Sequence, residues 1–134
     1  MATRSSPGLS IWHCETDEQD PDADPPSWLE SVARIPKPTE ERISKVKAQM
    51  VARQRRLEAG EQLRSPDHFR TEGELPDGKH FYAIKVGDIR AYGWFSRKHK
   101  RVFIISHYKY KDSDKLDPVD TARVVANWRN VEER

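Results

Sequence analysis

The segment HFYAIKVGDIRAYGWF, residues 80–95, constrains this chain more than any other. Two alternating runs rich in aromatic and β-branched residues meet at Gly87-Asp88, and a two-residue turn with Gly first is a type II′ hairpin. That turn sets the register. Val86 faces Ile89, Lys85 faces Arg90, Ile84 faces Ala91, Ala83 faces Tyr92 and Phe81 faces Trp94. Successive side chains of a strand point to opposite faces. One face therefore holds Tyr82, Ile84, Val86, Ile89, Ala91, Gly93 and Phe95, and it is expected to pack against helices. The other holds Phe81, Ala83, Lys85, Arg90, Tyr92 and Trp94, with two cations side by side. Like charges directly opposite destabilise a sheet, by about a few tenths of a kcal/mol where water screens them.

The flanking segments supply the remaining elements. A third strand is expected at 101–110. Upstream, SWLESVARIP predicts a short helix capped by Ser27 and ending before Pro36. TEERISKVKAQMVARQRRLEAG predicts a longer helix, with Thr39 as N-cap, Glu40 and Glu41 in its first turn and Gly60 as its stop. Ile43, Val46, Met50 and Leu57 form its apolar stripe. Residues 61–78 read as irregular, broken by Pro66, Gly73, Pro76 and Gly78. A closing helix opens with Asp117 as N-cap and Pro118 at its first position, and Ala122, Val125, Trp128 and Val131 share a face. The expected fold class is α+β: two N-terminal helices packed on a small antiparallel sheet, with a C-terminal helix. Residues 27–134 form the domain. Residues 1–26 read as a partly disordered, acidic extension with a short strand possible at 9–14.

Charge sharpens the picture. Residues 79–115 carry ten basic and three acidic groups, while residues 1–37 carry three basic and seven acidic. Positive charge concentrated on one strand-like segment is the footprint of a polyanion binder, although charged runs are commonly solvated faces. A phosphodiester suits the Lys85–Arg90 pair, because Arg offers a planar fork and Lys a point charge. Tyr92 and Trp94 are candidate base-stacking rings, and Arg97, Lys98, Lys100 and Lys111 are candidate RNA-binding cations. On the third strand His107, Lys109 and Lys111 share one side, and Ser106, Tyr108 and Tyr110 the other. The Ser96–Lys100 loop decides which side joins Arg90, so either His107 or Tyr110 is a candidate proton carrier there. His68, His80, His99 and His107 lack metal-ligand spacing, and Cys14 is the sole cysteine. No metal, cofactor or disulfide framework is therefore expected. The sequence has neither a bilayer-spanning apolar stretch nor a signal-peptide core, so no membrane partner and a cytoplasmic location are expected.

The succession helix, helix, FYAIKV, turn, IRAYGWF, RVFIISHYKYK and terminal helix resembles the RelE/ParE toxin superfamily, in its HigB-like, phage-related branch. The resemblance covers roughly residues 27–130, and LSIWHCE fits the family's first strand. It implies a toxin of a type II toxin–antitoxin system that cuts messenger RNA on the ribosome without metal, held in check by an antitoxin. By the resemblance, Lys85 and Arg90 match basic residues of the family's second and third strands. Lys109 falls near the basic cluster after the fourth strand, and Tyr110 stands where another cation is common. Lys85, Arg90, His107, Lys109 and Tyr110 are thus the candidate catalytic residues. Ala83 departs from the pattern, since a second lysine is common there, and the closing helix lies where some members end with a catalytic tyrosine or histidine. ParE-type members inhibit DNA gyrase instead. A non-catalytic inhibitor of gyrase or of another host factor, or an RNA-binding module, is the alternative. The acidic stretch from Glu15 to Asp24 is longer than the family's usual connection and is expected to fold over the basic face.

Overall fold

The structure is a computed structural model that describes residues 8–15, 24–65, 67–111, 113 and 115–134. The chain runs β1 (Ser10–His13), α1 (Pro26–Val32), α2 (Glu40–Glu58), β2 (Phe69–Glu74), β3 (His80–Val86), β4 (Ile89–Phe95), β5 (Val102–Tyr110) and α3 (Pro118–Glu132). The strands form one sheet in the order β1-β5-β4-β3-β2. β1 runs parallel to β5, and the other pairs are antiparallel.

This layout corrects the expected one. The sheet is neither small nor wholly antiparallel: it has five strands and is mixed. β2 comes from the stretch read as irregular. Gly73 is not a breaker there but a clearance, because a Cβ on it would lie 2.6 Å from Phe81 Cε2. A register shift between Thr71 and Glu74 absorbs the irregularity. β1 is hydrogen-bonded into the sheet through Ser10 N to Arg101 O (2.9 Å) and Cys14 N to Ile105 O (2.9 Å).

The helices also divide. α1 and α2 pack on one face of the sheet, where Trp28, Val32, Met50 and Leu57 meet Ile84, Val86, Ile89, Ala91, Phe103 and Ile105. α3 packs on the other, where Val124 and Trp128 meet Phe81, Ala83, Tyr92, Trp94, Val102 and Ile104. Both faces of the sheet are thus covered, and β4 and β5 are buried almost throughout.

Local chemistry explains the ends of the elements. Thr39 Oγ1 accepts from Arg42 N at 3.2 Å, and an Asp117 carboxyl oxygen accepts from Val119 N at 2.9 Å. Ser27 does not cap α1. Pro25 holds that position, and the Glu15 carboxylate accepts from both Ser27 N (3.0 Å) and Ser27 Oγ. Ser27 Oγ in turn accepts from Tyr108 N at 2.8 Å, which ties α1 to the part of β5 beyond β1. In α3 the buried positions are Asp120, Val124, Trp128 and Glu132 rather than the expected apolar set: Trp128 belongs to it, whereas Ala122 is exposed and Val125 and Val131 are only half-buried.

Candidate functional site

The Gly87 turn carries the site. Gly87 has φ 53°, a left-handed value that a Cβ would strain, and Asp88 does not share it. The turn pairs Lys85 with Arg90, as the sequence predicts. On the far side of β4, Arg90 pairs with Lys109. Three cations therefore stand in one cross-strand row on three neighbouring strands, about 10 Å from end to end at a strand spacing of about 4.8 Å. They share the face that α3 covers. Lys85, Lys109 and Lys111 are half-buried, while Arg90 is buried with 5% exposure. Arg90 Nη1 donates to Gly87 O at 2.8 Å, and Lys85 and Arg90 each have further partners.

A bulge in β5 settles which residues join this row. Tyr92 pairs with His107 but Gly93 pairs with Ile105, so Ser106 is an extra residue. It puts Ser106 and His107 on the same side, both reaching α3. Gly93 allows the close approach, since a Cβ there would lie 2.5 Å from Ile104 O. His107 Nδ1 is 2.8 Å from Ser106 Oγ and its Nε2 is 3.0 Å from Asp120 Oδ1. Asn127 Nδ2 donates to Ser106 Oγ at 2.8 Å. Lys111 Nζ lies 3.9 Å from Asp120 Oδ2, an oxygen with no hydrogen-bond partner among the described residues. Burial alone would push the Asp120 carboxyl up. The hydrogen bond and charge of His107, with the charges of Lys109 and Lys111, outweigh it and hold the carboxyl below the usual range.

Several candidates do not stand where the expected chemistry needs them. Tyr110 is on the opposite face, paired with Ile89, with the Arg34 guanidinium 5.4 Å above its ring. It cannot carry a proton at the cationic row. His107 joins the row's face but is 1% exposed and bound to Asp120, so it reaches no surface ligand. Tyr92 and Trp94 are sealed beneath α3 and cannot stack on bases. Burial raises the Tyr92 phenol above its ordinary value, with Asp120 and Glu72 adding to the shift. Trp94 Nε1 donates to Glu132 Oε2 at 2.9 Å. Arg97, Lys98 and Lys100 are exposed but lie in the loop past the opposite end of β4, which is itself about 17 Å along the strand from Arg90 at about 3.4 Å per residue. Arg97 rests over the Trp128 ring at 4.8 Å. Lys85, Arg90, Lys109 and Lys111 are what remains together.

The acidic stretch lies mostly outside the described residues. Of its described ends, Asp24 is held by Lys47 of α2, whereas Glu15 bridges the two layers, held by Ser27 of α1 and by Arg123 of α3 (3.5 Å). α1 and α2 belong to the other face of the sheet.

Sequence reasoning missed Ser106, Asp120, Asn127 and Glu132. The Asn127–Ser106 contact could not be foreseen, but the spacing Asp120, Val124, Trp128, Glu132 is a four-residue repeat that marks one helix face. Among the described residues no His, Cys, Asp and Glu side chains cluster in a way that could hold a metal ion, and no helix is long and apolar enough to cross a membrane. Comparison of the chain with protein-family models, with curated proteins and with solved structures finds no match in any of the three.

Proposed function

We propose that this chain binds RNA through the Lys85–Arg90–Lys109 row and acts as a metal-independent, ribosome-dependent messenger endoribonuclease, the toxin of a type II toxin–antitoxin pair. The observation that carries the reading is the register: three cations from three strands are aligned on one face beside Lys111. A polyanion backbone is a ligand whose charge such a row attracts. The reaction suited to it is attack of a ribose 2′-oxygen on the adjacent phosphorus. The O2′–P bond forms and the P–O5′ bond breaks, leaving a 2′,3′-cyclic phosphate and a 5′-hydroxyl. Lys85 and Arg90 would stabilise the charge growing on the phosphoryl oxygens. Lys109 and Lys111 would exchange the proton lost by the 2′-hydroxyl and gained by the 5′-oxygen. His107 is a positioning residue in this scheme, since it ties β5 to α3 through Asp120. The ribosome would orient the message, an antitoxin would cover the row, and the site of action would be cytoplasmic.

A second reading has its own support. Arg90 and His107 are buried, which favours a non-catalytic binder of nucleic acid, gyrase or another host factor on the same surface. Controlled expression followed by mapping of message ends separates the two. Cleavage within translated messages that falls at least tenfold in Arg90→Ala and in Lys85→Ala, with both variants folded, is the expected result. Intact messages in an arrested or healthy culture would remove the nuclease reading, and DNA damage in that culture would point to gyrase.

A further inference from the structure

The row can be followed past Lys109, at the edge of the sheet. β1 pairs with β5 only from Val102 to Ile105, so among the described residues no strand lies on the outer side of Tyr108, Lys109 and Tyr110. A cleft of about 110 Å³ opens there. Glu30, Ser31 and Arg34 line it from α1 and the turn after α1, Lys109 from β5 and Arg123 from α3. The cleft therefore sits where the two layers meet, at the edge that Glu15 spans between Ser27 and Arg123. Lys109 belongs both to the row and to the cleft, so the two are contiguous. A further strand does not suit this edge, because Tyr108 N is already bonded to Ser27 Oγ at 2.8 Å. What the cleft offers is side-chain charge.

That charge is positive. Arg34 is exposed, with its guanidinium 5.4 Å over the Tyr110 ring, a contact that narrows its orientations. Lys109 is half-buried, and among the described residues its ammonium has no hydrogen bond or ion pair. An ammonium that has lost part of its water without gaining a partner carries a desolvation cost that an anion removes. Two carboxylates oppose the three cations: Glu30 in the lining, and Glu15, whose Oε2 is 3.5 Å from Arg123 Nη2.

We propose that this cleft is a second phosphate subsite, in which Arg34, Lys109 and Arg123 hold a further phosphate of the single-stranded RNA that lies along the Lys85–Arg90–Lys109 row. The inference rests on the RNA-binding reading above. Two guanidinium groups and an ammonium from three different segments suit a phosphodiester, whose oxygens accept from all of them.

The test uses the full chain and a ten-nucleotide single-stranded RNA, with affinity measured by fluorescence anisotropy over a salt series. Arg34→Ala/Arg123→Ala is expected to bind about tenfold more weakly, with its log–log salt slope reduced by about 0.7 per lost phosphate contact. Glu30→Gln removes an opposing charge and should tighten binding about twofold, a gain that a purely structural Glu30 would not give. The side-chain Nε–H resonances of Arg34 and Arg123 should shift when RNA is added. Poly-glutamate of ten residues is the competing probe. If the arginine variant loses affinity for the peptide and keeps it for RNA, the cleft takes the carboxylates of a protein partner and the subsite is wrong. If Lys85→Ala weakens RNA binding while Arg34→Ala/Arg123→Ala changes neither affinity nor slope, the subsite is wrong and the RNA reading stands. If neither variant alters binding, the RNA reading itself fails and the subsite falls with it. Both arginines are exposed, and an unchanged thermal midpoint verifies the fold. Should the double variant melt lower, Arg34→Ala alone keeps the Arg123–Glu15 pair and decides the outcome by the same readings.

Discussion

Trp94 separates a core residue from a binding residue. Its side chain is wholly buried and its indole nitrogen is bonded to Glu132. Trp94→Ala is expected to destabilise the fold by about 3–5 kcal/mol, as for other large buried rings. Urea unfolding measures this, and Trp94→Phe should recover most of it apart from the lost hydrogen bond. Were Trp94 instead a stacking ring, the alanine variant would keep its stability and lose RNA affinity alone. Lys85 shows the converse at the same scale. It is half-buried on a strand whose alternate residues are core, and its neighbours fix its Cα without fixing a role for its charge. The pairing of Lys85 with Arg90 was legible in the sequence because Gly87 leaves one comfortable turn there. The burial of Arg90 was not, because nothing in the hairpin names the element that comes to lie over it.

At the scale of elements, α3 is fastened at both ends by carboxylates. Glu132 accepts from Trp94 Nε1, Ser96 Oγ (2.7 Å), Arg97 N (3.1 Å) and Lys98 N (2.9 Å), and Asp120 accepts from His107. Both carboxyls lie below their ordinary values. In each, burial pushes upward and the hydrogen bonds, joined at Asp120 by nearby cations, outweigh it. A carboxyl whose folded pKa is depressed adds stability that is present above its unfolded value of about 4 and lost as pH falls through the folded value. The thermal midpoint should therefore drop steeply below about pH 4, and Asp120→Asn/Glu132→Gln should show a shallower acid limb from a lower plateau at neutral pH. A limb of unchanged steepness would mean that other groups govern acid unfolding. Glu132→Ala alone leaves a buried indole N–H unsatisfied and should lower stability by about 1–3 kcal/mol, with amide exchange rising first in residues 96–98. The apolar stripe of α2 could be read from its period. That of α3 could not be read in full, because two of its four buried positions are acids whose partners lie 13 to 38 residues away in the chain.

At the scale of the whole molecule, β5 is the central asset and the central liability. It is buried on both faces, and β1 covers its edge only from Val102 to Ile105. An uncovered apolar strand edge templates association. Removing residues 1–14 is expected to convert the chain from a single species to larger assemblies at micromolar concentration, as seen by size-exclusion chromatography with light scattering. A monodisperse, folded truncation would show that Ser27 and α1 protect the edge without β1. The three-layer arrangement also decides the candidate site, because one layer hides Tyr92, Trp94 and His107 while leaving Lys85, Lys109 and Lys111 at its margin.

Local chemistry written in the chain settled the hairpin, its register and the sorting of side chains into two faces, since alternation and a glycine turn act over a few residues. It also settled the starts of α2 and α3, where Thr39 and Asp117 satisfy backbone donors within reach. What tertiary packing alone decided is which helices cover which face, that 69–74 forms a strand, and that one extra residue at Ser106 turns His107 toward α3 and leaves Tyr110 on the other side. Those outcomes depend on contacts between distant segments, and a bulge of one residue reverses every side chain beyond it.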